Sequence, residues 1–243
     1  MDASEQPQRD LRRQYWWIAL ALSAIAGSVD GIGYLLLAHV FTSHMSGNTV
    51  TLTIGLASGN WAAAWRHFEP IVSFFAGVLL GLLAAGILLR RRVVRIFAFV
   101  SGMEVVFLAA FLLLAHPVRQ WMVICPAAAM GIQNALLRRV GHRAVRTTFI
   151  TGMLATTADN LASAIVAKFQ GRDGAVKRFR DFARYAAIWI CFAAGGILSA
   201  FIEMRVGARA LLIPIGALLL LIAYDAFHPV TLYAALRLAG KRP

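Results

Sequence analysis

Long, predominantly apolar runs constrain this chain more than any other feature of its sequence. Residues 71 to 89 read IVSFFAGVLLGLLAAGILL, and residues 209 to 224 read RALLIPIGALLLLIAY. Runs of roughly 18 or more apolar residues are typical of transmembrane helices. Only 14% of the 243 residues are charged, whereas a soluble domain carries about 25%. The sequence therefore predicts an all-α polytopic membrane protein, with a single integral membrane domain over residues 1–243.

The net charge of +13 would suggest nucleic acid as the partner of a soluble protein. In a membrane protein it indicates instead that Lys and Arg crowd the cytoplasmic loops, so we predict a lipid bilayer and no nucleic acid as partner. The first apolar segment is too long for a cleavable signal peptide and ends without a small-residue cleavage site. Cys125 and Cys191 fall inside apolar spans and read as packing residues.

Six segments are long and apolar enough to span, and two more are helical in pattern but shorter or more polar. The six cover residues 16–38, 70–89, 95–115, 121–138, 184–203 and 209–227, and the two polar ones cover 44–59 and 147–167. With cytoplasmic termini, six spans place 20 of the 24 Lys and Arg residues inside, whereas eight spans place 14 inside. We expect six spans plus two re-entrant or half helices, with eight spans as the alternative.

An internal repeat relates the halves, about 16–115 and 121–227. Gly27, Asp30 and Gly31 have counterparts in GIQNA at 131 to 135, TSHMSG at 42 to 47 lies over TTFITG at 147 to 152, and LAS recurs at 56 and 161. Further on, Phe75-Ala76 corresponds to Phe192-Ala193. Three spans per half place the second half upside down in the bilayer. We therefore predict inverted repeats, as in many secondary transporters.

Asp30, near the middle of the first span, is the leading candidate for an ion- or proton-binding residue. An ionisable side chain inside a span costs about 3 kcal/mol or more and is a functional candidate by default. The alternative is a structural hydrogen bond to a neighbouring helix. Small residues in the spans predict close helix packing: Ser23, Gly27 and Gly31 in the first, Gly77 and Gly81 in the second.

The remaining candidates for substrate or ion binding lie in the two polar segments and the fourth span. Ser46 would cap a half-helix whose exposed amide groups favour an anionic or carbonyl-bearing group. The alternative is that Ser, Thr and Gly only join helices in lipid. The other candidates are Gly47, Asn48, Thr49 and Thr51, then Gln133, Asn134, Thr148, Thr151, Gly152, Thr156, Asp159 and Asn160.

Catalytic and metal motifs are not recognisable in the sequence. His39 and His44 do not share a helical face and have no evident further ligand, so no metal site is predicted. Ser46 lacks a nucleophile-elbow context, and neither a P-loop nor a dinucleotide fingerprint occurs. Glu104 is a second intramembrane carboxylate, which water or Arg95 could reach from the cytoplasmic end of its span. We predict no enzyme and no cofactor.

Four motifs resemble the YoaK family of bacterial multi-pass membrane proteins. They are AGSVDGIGYL at 26, VFTSHMSGNTVTL at 40, GIQNAL at 131 and TTFITGML at 147, and the resemblance covers nearly the whole chain. It implies an inner-membrane protein of six to eight helices. It implies no established substrate or reaction and transfers no catalytic residue.

These features together favour a small-solute transporter or permease of the bacterial inner membrane, with both termini cytoplasmic. Its polar site would lie between the halves, and Asp30 would be the coupling carboxylate. The alternatives are a membrane-embedded enzyme, or a scaffold or sensor that recruits partners through basic cytoplasmic loops. The sequence leaves the solute and the oligomeric state open, a homo-oligomer included.

Overall fold

The structure is a computed structural model that describes residues 6–91, 93, 95–114, 122–136, 139–140, 143–144, 150–170 and 174–228. These residues form eight α-helices and one two-stranded antiparallel pair. The helices are α1 (Gln6–Leu36), α2 (Met45–Ala57), α3 (Trp61–Arg90), α4 (Ile96–Leu114), α5 (Ile124–Leu136), α6 (Ile150–Phe169), α7 (Ala175–Val206) and α8 (Leu212–Phe227). Strands β1 (Arg139–Val140) and β2 (Arg143–Ala144) pair between α5 and α6, and a 3-10 turn, Gly207–Leu211, leads into α8.

Four stretches of the described chain are long and apolar enough to cross a bilayer. They are Trp16–Leu36, Trp61–Arg90, Ile96–Leu113 and Ala175–Phe227, the last of which joins α7, the 3-10 turn and α8. The prediction of an all-helical membrane protein is confirmed, the short β-pair aside. Three helices are longer than predicted: α1 begins at Gln6 instead of residue 16, the segment 70–89 is the later part of α3, and 184–203 lies inside α7.

Helices α1 and α7 cross with their backbones in direct contact. Each helix has a glycine at the crossing, so no side chain separates them. A Cβ built on Gly27 would lie 2.0 Å from the carbonyl oxygen of Phe192, and one built on Gly195 would lie 2.1 Å from that of Ala24. Ser23 reinforces the crossing by donating from its hydroxyl to the carbonyl of Ile188 at 2.9 Å. The glycines are required because any side chain here would meet backbone, which cannot move aside.

Helices α3 and α5 cross in the same manner. A Cβ on Gly77 would lie 2.2 Å from the carbonyl oxygen of Ala128, and one on Gly131 would lie 2.2 Å from that of Phe74. Gly81, one turn further along α3, would meet the methyl group of Ala135 at 2.8 Å. The packing role that small residues predict is therefore seen at both crossings.

One end of the bundle collects the beginnings of α1 and α4 and the end of α8. Arg95, just before α4, donates to the carbonyl of Ala226 at 3.1 Å. Gln14 of α1 donates to the carbonyl of His228 at 3.3 Å. Helices α4 and α8 pack against each other, so they run antiparallel.

The two polar helices lie beside the bundle rather than within it. Helix α2 packs on α3, and α6 packs on α7. The hairpin between α2 and α3 is tight because Gly55 lets the backbone of Ala64 approach, at 2.8 Å from a built Cβ. Much of both helices is exposed, including Thr53 and Ile54 of α2 and Ala158 and Asp159 of α6.

Candidate functional site

The chain reverses immediately after α1 and runs back along it. The reversal occurs at Ala38 and His39, whose φ angles of 53° and 67° are in the left-handed region. Such a conformation costs about 1–3 kcal/mol for a residue with a side chain, so surrounding contacts must hold it. Gly33 makes room for the segment that returns along α1, because a Cβ there would lie 2.5 Å from the methyl carbon of Thr42.

Asp30 binds this returning segment through both of its carboxylate oxygens. Oδ1 accepts from the amide of Thr42 at 3.0 Å, from its hydroxyl at 2.6 Å and from the amide of Ser43 at 2.8 Å. Oδ2 accepts from the hydroxyl of Ser43 and lies 2.7 Å from Nδ1 of His44. A buried carboxylate is stable when charge-assisted hydrogen bonds replace its water shell. Asp30 is 5% exposed, and it positions the residues that precede α2.

Asn48 makes a second clamp on the same segment. Its side-chain amide donates to the carbonyl of Phe41 at 2.8 Å, and its Oδ1 accepts from the amide of Phe41 at 3.2 Å. Oδ1 also lies 3.3 Å from Nδ1 of His67 on α3. Because Asn48 is fully buried and its amide is engaged in this way, it ties together the turn, α2 and α3.

His44 is the residue at which this network meets the rest of the bundle. Its Nδ1 faces Asp30, and its ring lies 5.4 Å from that of Phe41 and 5.6 Å from that of Phe192 on α7. A carboxylate at Nδ1 fixes the orientation of an imidazole and leaves Nε2 as the ring nitrogen that can face a ligand. With a side chain 28% exposed, His44 is the accessible member of the network.

The other candidates in α2 do not converge on Asp30. Thr49 and Thr51 are exposed, and their hydroxyls donate to carbonyls of their own helix, those of Met45 and Gly47. Ser46 is exposed as well, and Gly47 packs under the ring of Phe41. The predicted N-cap at Ser46 is wrong, because α2 begins at Met45 and His44 is its cap position.

In the second half, Thr148 lies outside the described residues. On α5, Gln133 is fully buried and its side-chain amide donates to the carbonyl of Leu22 of α1 at 2.8 Å. Asn134, the next residue of α5, is part-buried. Thr151 and Asp159 are exposed on α6, with Gly152 part-buried. Thr156 donates to the carbonyl of Gly152 and Asn160 to that of Thr156, both within their own helix.

Sequence reasoning did not include Thr42, Ser43 or His44 among the candidate site residues. The available signal was their position directly before a half-helix, because Ser and Thr bind carboxylates and cap turns. A carboxylate 12 residues earlier in a span is the partner that such donors need. The suggestion that Arg95 reaches Glu104 is also wrong, because Glu104 is fully buried and Arg95 donates to the carbonyl of Ala226.

A family model described as "Protein of unknown function (DUF1275)" matches residues 18–224. The chain belongs to this DUF1275 family. It is also 27% identical over 186 residues to "UPF0700 transmembrane protein YoaK" of Bacillus subtilis (strain 168), a match that covers 75% of this chain and 81% of that protein. The resemblance to the YoaK family is thus confirmed, and with it the membrane location. No solved structure matches, and the DUF1275 match spans both glycine crossings and the Asp30 network.

Proposed function

We propose that this DUF1275 protein is a small-solute permease of the bacterial inner membrane, built from two inverted repeats with three spans and one half-helix each. The observation that carries the proposal is the Asp30 network, which holds the start of a half-helix beside a transmembrane helix. In secondary transporters of the inverted-repeat type, discontinuous helices of this kind line the substrate site near the bilayer midplane.

The repeat is supported by the equivalence of the two helix crossings. The pair Gly27 and Phe192 corresponds to Gly131 and Phe74, and the pair Ala24 and Gly195 corresponds to Ala128 and Gly77. A constant offset of 104 residues relates α1 to α5, and one of 118 relates α3 to α7. This pairs Phe192 with Phe74, one residue away from the correspondence predicted from sequence.

Six spans are supported by the end of the bundle at which α4 starts. Arg95 contacts the end of α8, and Gln14 places that end beside the start of α1. If α2 crossed the membrane, α1, α2 and α3 would bring the chain to the opposite side before Arg95. If α6 crossed, α8 would finish on the side opposite to Arg95. These contacts favour polar helices that both return to the side from which they entered, and the positive-inside rule favours the cytoplasm for the common end.

The depth of the Asp30 network supports a role in the transport path. Asp30 follows Trp16 by 14 residues, and at 1.5 Å per residue this is roughly 21 Å along α1. A hydrocarbon core is about 30 Å thick. Irregular backbone at such depth is tolerated where it is buried in protein or lines a water-filled cavity. The imidazole of His44 is the polar group of the network best placed to meet a solute.

The proposal is tested by reconstitution into liposomes and stopped-flow light scattering during osmotic shrinkage and recovery. A panel of polyols, amino acids and small carboxylates is presented in turn. A permease makes recovery faster than in empty liposomes for one solute class. Equal rates for every solute, with protein shown to be inserted and folded, would contradict transport.

The second candidate is a membrane scaffold without transport. The observation that favours it is the engagement of both Asp30 oxygens, because such a network is as useful for rigidity as for solute binding. A scaffold retains partners through its cytoplasmic loops and gives no solute flux. Replacement of the basic loop residues Arg90 and Arg91 by alanine would then abolish partner binding, whereas a permease would keep its flux.

A further inference from the structure

Helix α4 buries one face completely, and that face carries an acid. Its fully buried apolar side chains include Phe97, Leu108 and Phe111, and Glu104 lies among them at 0% exposure. The helix packs mainly on α5 and α8, and more sparingly on α3 and the 3-10 turn. Glu104 is nine residues beyond Arg95, or roughly 13 Å along the helix. It is therefore near mid-depth in the bundle.

Within the part of the chain that the structure describes, neither carboxylate oxygen of Glu104 has a hydrogen-bond partner. The hydroxyl of Ser101, one turn earlier on the same face, is also fully buried without one. Native proteins rarely leave such groups unsatisfied, so each instance needs an explanation such as a bound ion or a functional role. Two such groups on one face of one helix therefore need an explanation.

No described charged group neutralises Glu104. Its own helix is preceded by Arg95, which donates to the Ala226 carbonyl. The titratable or charged side chains on the elements packed against α4 are Cys125 on α5, Tyr224 and Asp225 on α8, Arg209 on the 3-10 turn, and Arg66, His67, Glu69 and Arg90 on α3. None of them lies within hydrogen-bond distance of the carboxylate.

We propose that Glu104 is a proton-binding site, and that its carboxyl group carries the proton that couples solute movement to the pH gradient. An ionised carboxylate without a partner is so unfavourable in an apolar interior that the group takes up a proton instead. A hard cation such as Ca²⁺ takes about six to eight oxygen ligands, whereas this face offers the two Glu104 oxygens and one hydroxyl. Acids inside membrane helices commonly serve proton transfer.

This inference rests on the proposed function and changes the position of the coupling group. Asp30 has hydrogen-bond donors on both oxygens, so a proton arriving there would have to displace one of them. Glu104 has no such competitor. We therefore assign the structural role to Asp30 and the coupling role to Glu104.

The test is labelling of the full-length protein in liposomes with dicyclohexylcarbodiimide. This reagent adds to a protonated carboxyl group in an apolar setting: the acid gives its proton to a carbodiimide nitrogen, and its oxygen bonds to the central carbon. We expect mass spectrometry to find the label on Glu104 and labelling to decrease as pH rises. Glu104→Gln should lose the label, and Glu203→Gln, near the end of α7, should keep it.

Two outcomes overturn the inference: an unlabelled Glu104 at every pH tested, or protection of Glu104 by Na⁺ at constant pH, which would indicate a cation site. If Glu104→Gln fails to fold, the infrared carbonyl band of a protonated acid in the wild-type protein, and a shift in its frequency in Glu104→Asp, serve in its place. A protonated Glu104 without any solute flux would contradict the permease while leaving the proton site intact. Solute flux without labelling of Glu104 would contradict the proton site and leave the permease proposal intact.

Discussion

Asp30 of α1 and His44, the residue before α2, are joined by a 2.7 Å contact between Oδ2 and Nδ1. The first span thereby fixes the entry of the following half-helix. The same carboxylate holds Thr42 and Ser43, so one side chain organises the whole returning segment.

Asp30→Ala should destabilise the protein by about 3 kcal/mol or more, because leaving each buried donor without a partner costs about 1–3 kcal/mol. Asp30→Asn should cost less, since its carbonyl still accepts from the two backbone amides. The measurement is thermal unfolding in detergent, with Asp159→Asn as the exposed control on α6. Equal melting temperatures for Asp30→Ala and the control would show that the network does not stabilise the fold.

Gly27→Ala and Gly131→Ala should each destabilise the bundle by about 1–3 kcal/mol or more, the usual cost of overpacking. The reason is that the added methyl group would lie 2.0 and 2.2 Å from backbone oxygens of Phe192 and Phe74. Gly86→Ala on α3 is the matched control, because a Cβ there has no atom within 4 Å. Similar detergent unfolding curves for all three would contradict the close crossings.

The topology is testable by cysteine accessibility in intact cells after Cys125 and Cys191 are replaced by alanine. Ser58→Cys, in the turn between α2 and α3, should react with a membrane-impermeant maleimide from outside. Arg91→Cys, after α3, should react only once the membrane is opened. The pattern reversed between the two positions would indicate that α2 crosses.

His44→Gln should lower solute flux at least about tenfold, equivalent to about 1.4 kcal/mol, while the protein stays folded. Glutamine retains one nitrogen for Asp30 but lacks the second ring nitrogen. His39→Gln, at the turn and five residues earlier, is the control. If both variants transport equally, His44 does not contact the solute.

Much of the fold follows from the sequence, because apolar runs and glycine spacing report directly on burial in lipid. The long helices and the packing role of Gly27 and Gly77 are examples. The Asp30 network does not follow, since Thr42 and Ser43 reach Asp30 only through the left-handed turn at Ala38 and His39. Neither residue is a glycine, so the sequence gives no local signal for a left-handed turn at this position.

The role proposed for Glu104 could not be predicted from the sequence for a different reason. Its position in the span was visible, yet its helical face was not, because α4 is apolar all round. Only the packing of α5 and α8 against it makes one side interior. The sequence analysis therefore placed Asp30 first among the candidates. Only the structure shows that both Asp30 oxygens accept hydrogen bonds and that, among the described residues, those of Glu104 accept none.

The crossing of α1 with α7 has a consequence for biosynthesis. Ser23 of α1 donates a hydrogen bond to Ile188 of α7, a partner 165 residues later in the chain. The first helix therefore leaves the ribosome long before α7, its partner at the glycine crossing, has been synthesised. The α1–α7 crossing can therefore close only after α7 has been synthesised, so α1 waits in the membrane for most of translation.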